Sequence, residues 1–292
     1  MNNGILFALG TALCWGTSPL LLKNGLRNAS VGVGTVLQQA VITVTLLIST
    51  LFTVDHPTTA VSGSAFLIFL LAGVVGSYLG RTLFVRGVDE VGPSRAQLLK
   101  NAAPLITVIL AIPLLGESMT PGIAIGGLGI ITGLIFVTGI HPIKTMTGPQ
   151  LKALQAPLLA AVCYGIVPIL KKLGLSAGGD PIAGALIVQL VGLVLLLVAG
   201  RFLRVTFKWE RIPLSSFLYF VSVGVLQAIG SICTFYALSY APAVIVVPIW
   251  NAQPLVTMGL SRLTLSQKEP LAVTDFAAAI LIVLGVVILY QA

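Results

Sequence analysis

Charge is what this chain has least of. Only 8% of its 292 residues are Asp, Glu, Lys or Arg, whereas a soluble domain carries about 25%. A surface wetted on all sides cannot be built from so few charges, so a water-soluble globule is excluded. Histidine is scarcer still: His56 and His141 each stand alone between apolar runs, which removes histidine-based metal and catalytic sites. Cys14, Cys163 and Cys233 have neither metal-ligand spacing nor a disulfide framework, and they read as small packing residues. The eight acids (Asp55, Asp89, Glu90, Glu117, Asp180, Glu210, Glu269 and Asp275) all fall at the ends of apolar runs or between them. No carboxylate therefore stands in mid-span to carry a proton, and no cluster of His, Asp or Ser sets out an intramembrane enzyme. Rings of like charge are also missing, which argues against a channel.

What the chain does have is hydrocarbon. It is 57% apolar with a mean hydropathy of +1.06. A bilayer core about 30 Å thick is crossed by about 20 apolar residues in a helix. Ten stretches meet that length: Gly4–Leu22, Val31–Val54, Ser64–Val85, Pro93–Leu115, Pro121–Ile140, Leu154–Leu173, Pro181–Gly200, Ser215–Ala237, Pro242–Leu263 and Leu271–Tyr290. Near-continuous runs of this length exclude the alternating pattern of a barrel. The expected fold is an all-α integral membrane protein of ten transmembrane helices. The first run lacks a basic leader and a small-residue cleavage site, so it is expected to remain as a membrane helix. The net charge of +8 follows from basic loops rather than from nucleic-acid binding. Loops after odd-numbered spans hold twelve of the basic residues, against Lys171 and Lys172 on the other side. The positive-inside rule then places the odd loops in the cytoplasm and both termini outside.

The chain also repeats itself. "CWGTSPLLLKNGL" from Cys14 returns as "CYGIVPILKKLGL" from Cys163, and "NAAPLIT" from Asn101 returns as "NAQPLVT" from Asn251. Pro93 matches Pro242, and "FLIFLLAGV" from Phe66 resembles "FLYFVSVGV" from Phe217. Two five-helix units follow, residues 1–150 and 151–292. Because five is odd, the second unit enters the membrane inverted, an arrangement typical of secondary transporters with a substrate site at the repeat interface.

These motifs resemble those of the ten-helix EamA-type exporters of the drug/metabolite transporter superfamily. The likeness rests on Trp15-Gly16 with Pro19, Tyr164-Gly165 with Pro168, Gly92-Pro93-Ser94-Arg95, Pro104, Leu115-Gly116-Glu117, Ala241-Pro242-Ala243 and Pro254. It implies packing around a central cavity and movement of amino acids, other metabolites or drugs, often outward. One departure matters: small multidrug members use a glutamate in their first helix, and none stands there in this chain. A facilitative carrier or exchanger fits better than drug–proton antiport.

Polar groups inside lipid are costly and mark candidate sites. Lys100 and Asn101 in the fourth span, Gln38 and Gln39 in the second, and Arg81 with Tyr78 in the third are expected to share one layer. Such a cationic, amide-rich layer suits a carboxylate or phosphate. The second half offers Asn251, Gln253 and Trp250, with Gln189, Gln227, Ser231 and Tyr236 nearby; Trp15 and Tyr164 are paired aromatic candidates for gating or stacking. Pro19, Pro168, Pro104 and Pro254 each remove a helix hydrogen bond and are candidate hinges. The fifth and tenth spans carry small-residue spacings expected to serve as scaffold or dimer contacts. Taken together, the expectation is a secondary transporter of small organic metabolites, amino acids first, exported across the cytoplasmic membrane. It would use no cofactor or metal and act as a monomer or homodimer. An exchanger of sugar phosphates or organic acids is the alternative.

Overall fold

The computed structural model describes residues 2–29, 31–56, 59–91, 96, 99–138, 154–202, 212–264 and 273–291. Positions 93–95, Lys144, Lys152, Arg204, Lys208, Arg211, Lys268, Glu269, His141 and the boundary after residue 150 lie outside them. Apolar runs with satisfied internal backbones dominate, as lipid requires. The helices are α1 (Asn2–Gly25), α2 (Val31–Thr53), α3 (Gly63–Ala72), α4 (Arg81–Val91), α5 (Ala103–Leu115) and α6 (Pro121–Thr138). Then follow α7 (Gln155–Ser176), α8 (Pro181–Phe202), α9 (Leu214–Tyr240), α10 (Ala243–Asn251), α11 (Gln253–Thr264) and α12 (Val273–Gln291). A π-helical stretch, Gly73–Gly80, joins α3 to α4 into one continuous rod.

Among the described residues, seven segments are long and apolar enough to cross a membrane, and the apolar segments Ala103–Leu115, Pro121–Phe136 and Ala277–Gln291 are shorter. These three occupy the fourth, fifth and tenth stretches expected from sequence. The fourth is interrupted within its described part. Its helix stops in a turn at Asn101 and Ala102, just before Pro104, and resumes as α5.

Helix neighbours come in exchanged pairs. α1 packs on α9 and on α10–α11, whereas α7 packs on the α3–α4 rod and on α5. α2 packs on α8, and α6 on α12. For these pairs, exchanging first-half helices for their second-half counterparts returns the same neighbours. Because lipid supplies no hydrophobic drive between helices, such seams rest on close packing and small residues. Gly16 lies against the Gln253 carbonyl and Val256, and Gly165 lies against the Ala103 carbonyl and Ile106. A Cβ at either glycine would collide with that backbone. The same pairs are bonded alike: Thr257 Oγ1 donates to the Gly16 carbonyl at 2.6 Å, and Thr107 Oγ1 to the Gly165 carbonyl at 2.7 Å. In α6 and α12, Gly126, Gly133 and Gly285 are spent on the contact between those two helices.

Candidate functional site

The seam between the halves carries a polar relay. Gln39 on α2 is fully buried, and its Nε2 donates to Oε1 of Gln189 on α8 at 2.9 Å and to the Gln189 carbonyl at 3.0 Å. The two glutamines are 150 residues apart, close to the offset of the repeat. Arg81, the first residue of α4, donates from Nη1 to Gln39 Oε1 at 2.6 Å. At the other end, Gln189 Nε2 donates to the Ser231 hydroxyl on α9 at 3.1 Å. Arg81 and Ser231 are again 150 apart. A guanidinium, two amides and a hydroxyl thus cross the seam in one hydrogen-bonded line, the kind of partnering that buried polar groups require.

Beside this relay, the Lys100 ammonium lies 5.0 Å from the ring centres of both Phe84 and Tyr164. Aromatic faces attract a cation at this range, yet no carboxylate among the described residues pairs with Lys100 or Arg81. The two cations are close enough for their like charges to repel. A cluster of positive charge with no counter-charge among the described residues can accept an anionic group in place of water.

Lys100 is also where the fourth span breaks. The Ala102 N–H bonds the Leu99 carbonyl at 3.0 Å, and the Leu105 N–H bonds the Ala102 carbonyl at 3.1 Å. The second half repeats this break between α10 and α11: Ala252 bonds Ile249 at 3.1 Å, and Leu255 bonds Ala252 at 3.0 Å. Pro104 and Pro254 follow the two breaks and cannot supply the N–H that residues Lys100 and Trp250 would need four positions on. By the same spacing Pro19 and Pro168 deprive the carbonyls of Trp15 and Tyr164, although α1 and α7 continue through them.

The remaining candidates are dispersed. Asn101 is buried at the break. Asn251 turns its amide back to the Val247 carbonyl at 2.8 Å. Gln253 faces Gly16 through its carbonyl, and Trp250 is buried in the core with Ile245 and Ile249. Trp15 packs its indole on Gly230, its N–H buried without an acceptor. Gln38 and Tyr78 are half-buried. A cavity of about 460 Å³ lies elsewhere, lined by apolar residues including Leu47, Leu51, Phe66 and Ile187. None of the candidates lines it, and its walls include side chains exposed on the lipid-facing surface.

Sequence reasoning undervalued one acid. Glu117, in the connection after α5, accepts from the N–H groups of Ala243 and Val244 at 2.7 and 2.9 Å. Lys172 on α7 pairs with it at 2.9 Å and also donates to the Ala241 carbonyl at 2.8 Å. An acid at a helix start meets unpaired donors and the positive end of the helix dipole. The signal was present: in the repeat alignment Lys172 answers Lys23, and Ala241-Pro242-Ala243 announces a helix N-terminus.

These features define a multi-pass helical membrane protein with a polar centre at the seam of two like halves. The EamA-like transporter family matches residues 2–139 and again 151–291, and the chain belongs to that family. An uncharacterized protein of Methanocaldococcus jannaschii is 31% identical over 135 residues, 45% of this chain and 91% of that one. The uncharacterized transporter YyaM of Bacillus subtilis is 22% identical, with 75% of this chain and 71% of that protein aligned. The uncharacterized inner membrane transporter YhbE of Escherichia coli is 26% identical over 49% of this chain and 45% of its own. A solved crystal structure superposes over 99% of this chain and 96% of its own with a TM-score of 0.82 at 15% identity, a likeness of fold.

Proposed function

We propose that the chain is a secondary transporter that exports small organic metabolites, amino acids in the first place, by alternating access across the cytoplasmic membrane. Its ten spans form two inverted units, divided near residue 150, around a central path. The exchanged helix pairs and the duplicated breaks before Pro104 and Pro254 support that architecture. One observation carries the substrate class: the Lys100 ammonium, held between Phe84 and Tyr164 beside Arg81, has no acidic partner among the described residues. The substrate carboxylate would meet these cations, and its side chain would lie along the aromatic faces. The relay through Gln39 and Gln189 would hold the halves in register while the broken fourth and ninth spans bend.

Counterflow in proteoliposomes tests this reading, with labelled aromatic and neutral amino acids beside a sugar phosphate and a dicarboxylate. Saturable amino-acid exchange is expected, and Lys100→Ala should weaken it by about tenfold to a hundredfold, the worth of one charged hydrogen bond. Exchange confined to the phosphate or the dicarboxylate would overturn the amino-acid assignment.

A further inference from the structure

A second buried ammonium lies on the same helix as Tyr164 and has no place in the site above. Lys171 is 7% exposed, and its Nζ stands 4.8 Å from the ring centre of Phe235 on α9. We propose that Lys171 is a second anion-accepting station, which takes the carboxylate or phosphate group of the carried solute at the end of the path opposite Lys100.

Three observations lead there. The first is the state of the acids at that end of the bundle. Glu117 is occupied by Lys172 and two backbone N–H groups, and Asp180 Oδ1 accepts the N–H groups of Ile182 and Ala183 at 2.8 Å each. Asp55 is exposed. None of them bonds Lys171, and among the described residues no acceptor does. A lone charge buried in a membrane bundle is costly, and partners or a polar path normally compensate it.

The second is alignment. Tyr164 and Lys171 are seven residues apart on α7, two turns and about 10 Å along one face, since seven steps of 100° return to within about 20°. Pro168 lies between them on the same stripe. The ring that holds Lys100 and the ammonium of Lys171 therefore mark two points on one lane.

The third is the repeat. Phe84 and Phe235 are 151 residues apart, the offset that relates Phe66 to Phe217. Each presents its ring to a lysine of another span, Phe84 to Lys100 and Phe235 to Lys171. Equivalent rings in the two halves thus hold two ammonium groups, one toward each end. A solute anion released by the first would find the second before reaching water.

The inference rests on the transport reading for its purpose, but its test is a binding measurement that does not depend on transport. The purified full-length chain is titrated calorimetrically with benzoate and with inorganic phosphate, in lipid-free maltoside micelles and in phosphatidylcholine nanodiscs. Lys100→Gln should weaken anion binding in both and leave the part held at Lys171. Adding Lys171→Gln should weaken the remainder by about tenfold or more, the worth of a charged hydrogen bond, while Lys171→Arg in its place should preserve it. A double variant that binds as Lys100→Gln does would overturn the proposal. Should Lys171→Gln fail to fold, acetylation of Lys171 in the wild-type chain decides: protection by benzoate supports the station, and an unchanged rate overturns it. Protection that appears only in nanodiscs and ignores benzoate assigns the anion to a phospholipid headgroup and overturns the solute site. Silent counterflow with intact binding removes the transport reading and keeps Lys171 as an anion site. Active counterflow with no loss in the double variant removes Lys171 alone.

Discussion

Arg81 and Ser231 stand 150 residues apart and perform the same geometrical task, each bonding a glutamine of the seam. Lys100 and Trp250 stand 150 apart as well, each just before a break in its span. In both comparisons the first half carries a cation and the second half a neutral side chain. What the halves share is mechanical: Gln39 with Gln189, Gly16 with Gly165, Thr107 with Thr257, Pro104 with Pro254. What they do not share is charge. On the proposed function, the duplicated frame would set the symmetry of the motion, and the cations of one copy would give the centre a preference for an anion.

The strongest way to test this division is at the lysines that follow the first and sixth spans. Lys23 and Lys172 are repeat partners, yet Lys23 is exposed while Lys172 pairs with a Glu117 side chain only 7% exposed. Lys172→Met should destabilise the fold by about 3 kcal/mol, because it strands a buried carboxylate. Lys23→Met should stay within about 0.5 kcal/mol, as surface changes usually do. Unfolding midpoints in mixed micelles would compare them, and equal shifts would deny the asymmetry between the two ends. Glu117 itself would then be a minor contact.

The relay gives a smaller contrast. Gln39→Leu removes two bonds to Gln189 and leaves the Arg81 guanidinium without its acceptor, for about 2 kcal/mol. Gln189→Leu frees the Ser231 hydroxyl and removes one acceptor of Gln39 but keeps the Arg81 bond, at about 1 kcal/mol. Melting curves that rank them in the reverse order would show that Arg81 finds another partner. At Thr107 and Thr257 the comparison should vanish. Valine at either loses one bond to a glycine carbonyl and should cost about 0.6 kcal/mol, alike in both halves. Unequal losses there would place asymmetry in the frame itself.

Much of this was legible in the chain because its causes are local. Twenty apolar residues make a span wherever they occur, and an offset of 149 to 151 betrays a duplicated unit without any knowledge of packing. The neighbourhood of Lys100 was legible for the same reason, since rise per residue places Arg81, Gln39 and Lys100 at similar depth. The rest depends on lateral pairing, which a sequence does not state. Gln39 and Gln189 were two scattered amides until α2 met α8. Glu117 read as a loop acid because its partners, Lys172 and the Ala243 N–H, lie 55 and 126 residues on. Lys171 counted only as a charge on one side of the membrane, since nothing in the order of residues puts Phe235 beneath it.

The prolines give the finest test of the frame. Pro104 and Pro254 follow equivalent interruptions, each with the same pair of tightened hydrogen bonds. Alanine at either position restores the missing N–H and lets the span close into one helix, so the Lys100 or Trp250 carbonyl gains a partner. Against that gain stands the greater freedom of an unfolded chain without its proline, and the net stability change should stay within about 1 kcal/mol. Turnover should respond more than stability, because a continuous helix resists the bend that the proposed alternation between the two faces would demand. If the breaks belong to the shared frame, Pro104→Ala and Pro254→Ala slow counterflow by similar factors and leave half-saturation unchanged. If only Pro104→Ala slows it, and half-saturation rises too, the first break serves to place Lys100 and the second is a relic of duplication. Single-turnover release from preloaded vesicles separates the two outcomes, since it reads the bending step without the binding step.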